Sequence, residues 1–307
     1  MNFSFQNLIQ INGGLSRKKV FRNFKKKNNK IIIDFFDDEK DFYDFLDIYE
    51  ILKNINISIP RIYEVYLEKK IVVMEDFGDK LFNKIFNEKN LYYLLKLAVD
   101  NLIIIQNSVH KDNLLKLKKY TFHNLKNEIS ELEHYYIPYK NISNFPIENF
   151  YDLWENLYNS QNFLFNSFAH KDYEFINLIL VNKNNHHLKC GIIDFQSAFL
   201  GFKGWDLFSL LENPRLDFTR KYNEDLLKYF YESTSNECDF QTFRSHYYIL
   251  NLSRQSRLLG RWIKIYKEGN KKFLDYIVPT KKRIISCLVN IKDNKLKEIY
   301  ERYIIND

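Results

Sequence analysis

The sequence predicts an α+β chain in two lobes, a small β-rich lobe over residues 1–78 and a larger, mainly helical lobe over 79–307. Three observations carry that expectation. Short β-branched runs separated by turn signals fill the chain up to residue 77. Long patterns with apolar residues at i, i+3 and i+4 dominate beyond residue 80, and one pair of apolar runs with a polar tip interrupts them at 177–194.

The runs VFRNF (20–24), IIIDFF (31–36), RIYEVYLE (61–68) and KIVVMEDF (70–77) have strand length and are bounded by Gly, Asn and Lys clusters, which reads as an antiparallel sheet. Between the second and third, DDEKDFYDFLDIYEILKNI places Phe42, Phe45, Leu46, Tyr49, Leu52 and Lys53 near helical spacing, with acidic residues in the first turn. One helix packed on the small sheet follows. LFNKIFNEKNLYYLLKLAVDNLIIIQNSVH (81–110) reads as one or two long helices, and FPIENFYDLWENLYNS (145–160) as another. NLILV (177–181) and KCGIID (189–194) flank the tip NKNNHH as a hairpin, and everything after residue 205 is again helical. There is no internal repeat.

Composition narrows the function classes. A chain of 307 residues with 45% hydrophobic residues can bury a full core, and 22 Tyr, 27 Phe and 3 Trp beside 8 Gly and 5 Pro exclude disordered, collagen-like and low-complexity classes. Cys190, Cys238 and Cys287 are too few and too scattered for a disulfide framework or a zinc site. The net charge of +7 invites a nucleic-acid reading, but only 11 of the 46 basic residues are Arg, the side chain that recognises phosphate and guanine bidentately. Lys, Asn, Ile, Phe and Tyr abound throughout, so a compositional bias accounts for the charge at least as well as a nucleic-acid partner does. No apolar stretch approaches the roughly 18–20 residues of a membrane span, and the N-terminus lacks a basic region followed by an apolar one. A cytoplasmic, monomeric chain with no nucleic-acid or membrane partner is expected.

The chemistry lies in HKDYEFINLIL (170–180) and GIIDFQSAFLGFKGWDLFSLL (191–211). Asp172 and Asn177 stand five positions apart in a loop leading into a strand, and Asp194 ends the next strand, beside that loop if the two strands pair. Phosphoryl transfer from a nucleotide needs a carboxylate to orient and deprotonate the accepting hydroxyl, and oxygen ligands for Mg²⁺, commonly a carboxylate and an amide. An H-x-D-x-x-x-x-N loop followed by a D-F-x turn supplies those groups in that order.

This arrangement resembles the protein-kinase-like superfamily, and more closely its aminoglycoside and choline phosphotransferase branch. Within that branch these words, with MEDFGD (74–79) and RQSRLLGRWIKIYKEGNKKFLDYIVP (254–279), look like the bacterial anomeric amino-sugar kinases, which phosphorylate the 1-hydroxyl of N-acetylmuramate and N-acetylglucosamine. The resemblance implies a two-lobed protein-kinase-like fold, ATP and Mg²⁺ as cofactors, and a small-molecule acceptor, an amino sugar of cell-wall recycling. It makes Asp172 the catalytic base, gives Asn177 and Asp194 to Mg²⁺, and assigns His170 and Asp206 to support of the catalytic loop. Gln196 stands where many kinases have Gly and where the amino-sugar group has Gln. INGGLSRKKVFR resembles the hairpin that covers the phosphates, with Gly13 and Gly14 allowing close backbone approach and Ser16 and Arg17 in reach of a phosphate oxygen. Glu75, Asp76 and Phe77 would pass the adenine as the connector between lobes.

One departure stands out. The position in IIIDFF that aligns with the phosphate-pairing Lys of kinases holds Asp34, so the cation is unassigned among Arg17, Lys18, Lys19 and Arg22, and Glu50 has no evident partner. Alternatives therefore stay open: another acceptor (an aminoglycoside, a choline-like alcohol, another sugar, a protein side chain) or a nucleotide-binding chain without turnover. Arg254, Arg257 and Arg261 fall on one helix face, either as a solvated basic surface or as groups meeting an anionic or hydroxyl-rich acceptor. The remaining histidines, including the adjacent His186 and His187, show no ligand spacing, and Trp154, Trp205 and Trp262 read as core.

Overall fold

A computed structural model describes residues 8–11, 18–23, 29–36, 38–182 and 188–306. The strands are β1 (Leu8–Ile11), β2 (Lys19–Asn23), β3 (Lys30–Asp34), β4 (Ile62–Tyr66), β5 (Ile71–Glu75), β6 (Phe165–Ala169), β7 (Leu178–Asn182), β8 (Leu188–Ile192) and β9 (Phe199–Phe202). The helices are α1 (Glu39–Leu52), α2 (Phe82–Ile85), α3 (Leu91–Ser108), α4 (Lys111–Leu114), α5 (Phe122–Glu131), α6 (Ile137–Tyr139), α7 (Ile147–Ser160), α8 (Trp205–Leu211), α9 (Asn223–Ser233), α10 (Phe240–Lys267), α11 (Ile277–Asn290) and α12 (Asn294–Tyr300). The chain forms two compact units, Met1–Asn113 with His170–Ala198, and Leu114–Ala169 with Phe199–Asp307. Residue 78, the expected lobe boundary, lies inside the first.

In the first unit a five-stranded antiparallel sheet runs in the order β1-β2-β3-β5-β4, with β2 and β3 in a register that pairs Lys19 with Asp34 and Val20 with Ile33. Alternation along the strands gives the sheet two apolar faces. Ile32, Ile71 and Val73 form a cluster on one, with Leu8, Phe21 and Tyr66 against it. Ile31 and Ile33 point the other way and lead to Phe35, whose ring lies 5.6 Å from Phe42 and 5.5 Å from Phe45 of α1. Asp38 starts α1 by accepting a hydrogen bond from the Asp41 amide. The expected helix is therefore present, but the face it buries is Phe42, Phe45, Ile48, Ile51 and Leu52, with Leu46 and Tyr49 turned partly to solvent. Phe45 also stacks on Phe195 at 4.8 Å, which ties α1 to the turn after β8.

The hairpin expected at 177–194 is β7 paired antiparallel with β8. It is anchored in the first unit, where Ser58 O accepts from Ile192 N and Lys80 O from Leu180 N. The second unit is helical around α10, which is packed by α5, α8 and α11, and it holds a ribbon the sequence reading did not contain, β6 paired with β9. Trp154, Trp205 and Trp262 are all buried, as expected for core residues. Among the described residues, no helix is long and apolar enough to cross a membrane.

Candidate active site

The loop between β6 and β7 is shaped by its own backbone. Lys171 adopts a left-handed conformation (φ 81°), Glu174 N donates to Asp172 O, and Asn177 N to Glu174 O, so the chain turns tightly before β7 begins. The Asn177 side chain closes the loop by donating its amide to Asp172 O at 2.9 Å, which leaves the amide oxygen as the group it can offer a cation. Tyr173, fully buried, anchors the loop from below, its hydroxyl donating to Ala98 O of α3 and accepting from Asn101.

Two further hydrogen bonds tie this loop to the turn after β8. Ile193 N donates to Asn177 O, and the His170 imidazole Nε2 pairs with Ile193 O at 3.1 Å. Burial lowers the His170 pKa, against the pull of Asp172 and Asp194. Asp172, Asn177 and Asp194 are thus brought together by the loop and hairpin alone, and His170 braces the loop within the same unit. Asp194 also sits in the left-handed region (φ 66°), which aims its carboxylate out of the strand direction. Gln196 donates to it at 3.1 Å, and the Lys18 ammonium makes an ion pair with it. Burial alone would raise the Asp194 carboxyl, but Lys18, Gln196 and the nearby His170 hold it below its ordinary value.

The other sequence-derived residues take varied places. Glu75 accepts from Arg61 N, and Asp76 turns back to accept from Gly78 N while its carboxylate binds Arg22 of β2. Arg22 also forks onto Asp79. The Asp76 side chain therefore fixes the turn that follows β5. Phe77 lays its ring against Gly191 of β8, where a Cβ would come within 2.8 Å of it. Gly13, Gly14, Ser16 and Arg17 lie outside the described residues, as do His186 and His187. Asp206 is buried in the first turn of α8. Glu50, without an evident partner in sequence, pairs with Lys53 one turn along α1. In the second unit Arg254 is fully buried in α10, Arg257 is half-buried, and Arg261 pairs with Glu131. A buried group that the sequence reading missed, Glu212 with Asn223 and Arg283, joins α8 to α9 and α11.

Among the described residues, no cluster of three or more His, Cys, Asp or Glu side chains could hold a metal ion. One carboxylate and one amide oxygen, Asp194 and Asn177, suit Mg²⁺, which binds through one or two protein oxygens and completes its shell with water and phosphate.

No family model matches the chain. Over 138 residues it is 27% identical to an N-acetylmuramate/N-acetylglucosamine kinase of Caulobacter vibrioides, a match spanning 45% of this chain and 38% of that relative's length. Similar solved structures include a Plasmodium vivax ethanolamine kinase (15% identity, TM-score 0.62, covering 91% of this chain and 80% of that one). They also include a choline kinase from Streptococcus pneumoniae (15% identity, TM-score 0.61, covering 93% and 94%). A spectinomycin phosphotransferase solved with ADP and spectinomycin is similar as well (15% identity, TM-score 0.53, covering 95% and 91%). The chain therefore has the protein-kinase-like fold, in the form shared by aminoglycoside phosphotransferases and choline and ethanolamine kinases.

Proposed function

We propose that the protein is an ATP- and Mg²⁺-dependent small-molecule phosphotransferase whose acceptor is the anomeric hydroxyl of an N-acetylated amino sugar. The observation that carries the reading is the closed loop and turn, in which Asp172, Asn177 and Asp194 converge through the Asn177–Asp172, Ile193–Asn177 and His170–Ile193 hydrogen bonds. The amino-sugar acceptor rests on the partial match to the Caulobacter kinase and on Gln196, the residue the amino-sugar group carries after the metal-binding Asp-Phe pair.

In this reading Asp172 orients the acceptor hydroxyl and takes its proton. The acceptor oxygen bonds to the γ-phosphorus as the bond from that phosphorus to the β,γ-bridging oxygen breaks, and ADP leaves. Mg²⁺, held by Asp194 and Asn177, would neutralise phosphate charge. Positioning and charge stabilisation supply most of the rate enhancement, so the rigidity of the loop is part of the machinery.

Purified protein with ATP, Mg²⁺ and N-acetylglucosamine or N-acetylmuramate is expected to yield ADP and the sugar 1-phosphate. Absence of a 1-phosphate product, with ADP release on another acceptor, would move the substrate elsewhere in the phosphotransferase group. Asp172→Asn should lower kcat by about two to four orders of magnitude, the usual range for general base removal. Its melting temperature should stay unchanged, because the loop is held through the Asp172 carbonyl. Near-normal turnover in that variant removes Asp172 from the base role.

A further inference from the structure

The sheet register makes clear which strand can present a cation to the nucleotide phosphates. Asp34 pairs across the ladder with Lys19, so both point to one face, the face of Phe21, Ile32 and Val73. There the Lys19 ammonium lies over the Phe36 ring, and the Asp34 carboxylate accepts from Phe36 N and closes the turn that ends β3. On the opposite face, which carries α1 and the turn holding Asp194, β3 offers Ile31 and Ile33 and then Phe35, all buried and uncharged. A lysine on β3 is therefore not merely replaced by Asp34; the strand carries no cation on that side at all. β2 does. Its residues on that face are Val20 and Arg22, and Lys18 immediately precedes the strand at the same two-residue spacing. Arg22 is committed to Asp76 and Asp79 at the connector, whereas Lys18 reaches Asp194.

We propose that Lys18, delivered from the start of β2, is the nucleotide-phosphate cation of this chain, in place of the β3 lysine that kinases ordinarily use. The inference rests on the phosphotransferase reading of Asp172, Asn177 and Asp194. The side chain is nearly buried, 10% exposed, and its carboxylate partner is the proposed metal ligand, so the ammonium already stands where phosphate oxygens and Mg²⁺ would meet. An ammonium paired with a carboxylate is compensated against the cost of burial in the absence of phosphate and can exchange that partner for a phosphate oxygen of the same charge sign. Arg22 on the same face, held by two carboxylates, fixes the strand that carries Lys18 to the connector.

Calorimetric titration of the full chain with ATP, ADP and adenosine, for wild type, Lys18→Met and Lys19→Met, tests this. Lys18→Met should weaken ATP and ADP binding about tenfold to a hundredfold, the range for one lost hydrogen bond to a charged group. It should leave adenosine binding within twofold of wild type, since adenosine has no phosphate. Lys19→Met, one residue away on the other face, should bind all three as wild type does. If Lys18→Met binds ATP and ADP as tightly as wild type, or loses adenosine binding equally, Lys18 is not the phosphate cation, and the phosphotransferase reading stands without it. If wild type binds neither ATP nor ADP in the presence of Mg²⁺, the nucleotide site itself falls, and this inference with it.

Discussion

At Asp194 a single carboxylate shows how the site's charge is coupled to the fold. Its folded pKa lies below its ordinary value because the Lys18, Gln196 and His170 contributions outweigh burial. The folded state therefore binds the proton less readily than the unfolded chain does. The contribution to stability is complete above the unfolded carboxylate range and is lost as pH falls through the depressed folded value. Asp194→Asn keeps the shape, and Asn tolerates the left-handed backbone that this position requires (φ 66°). Melting curves recorded from neutral pH into the acid range should therefore lose less stability in the variant than in wild type. Parallel curves for the two proteins would mean that the Lys18 pair contributes nothing to the folded state. The groups of this site were legible in the sequence because Asp172, Asn177 and Asp194 belong to contiguous words whose spacing the loop and hairpin preserve. Lys18 was legible only as one of four cations, since the choice between it, Lys19 and Arg22 depends on which face of the sheet each occupies.

Elements were legible where their patterns were long and periodic. The four runs up to residue 77 and the segment opening at Glu39 became β2 to β5 and α1, with bounds displaced by a few residues. The buried stripe of α1 was displaced too, because Leu46 and Tyr49 are apolar enough to share the helical period with Ile48 and Ile51, and only the position of Phe35 and Phe195 decides between them. β1 has four residues and β6 reads FNSFA without a β-branched side chain, so neither carries a strand signal of its own; tertiary pairing makes them strands. The packing of α10 against α5 shows the same dependence on the third dimension. A Cβ at Gly260 would stand 2.0 Å from Glu131 O and 2.2 Å from its carbonyl carbon, both backbone atoms at the end of α5. Helix propensity favours Gly260→Ala by about 1 kcal/mol, but forcing two backbones apart costs about 1–3 kcal/mol or more. It would also stretch the Arg261–Glu131 pair beside it. Gly260→Ala should lower the urea midpoint, whereas an unchanged or higher midpoint would show that α10 can lift off α5 at no cost.

Over the whole molecule, several of the arginines counted in the +7 charge are held in local partnerships, such as Arg22 with Asp76 and Asp79, Arg244 with Glu224 and Arg261 with Glu131, which leave the net excess unchanged. Arg254 and Arg283 are wholly buried and supply no surface at all. Composition could not disclose this, because Glu212 and Arg283 meet across 71 positions of sequence and their pairing exists only once α8 and α11 are packed. The three cysteines report on both units at once. All are free thiols; Cys190 lies buried beside Tyr173 of the loop between β6 and β7 and Cys287 in α11, while Cys238 is half-buried. Burial pushes the Cys190 thiol up to about 12 and raises Cys287 well above its ordinary value, and burial with the neighbouring Asp239 raises Cys238. Because the thiolate is the reacting species, none should be fast near neutral pH, and accessibility leaves Cys238 as the first to react. Titration of the native protein with a chromogenic disulfide at pH 8 should therefore show at most one slowly reacting thiol, and three after denaturation in guanidinium. Rapid reaction of two or three thiols in the native state would show that the core around Tyr173 or around Asn251 opens far more readily than their hydrogen bonds to Cys190 and Cys287 imply.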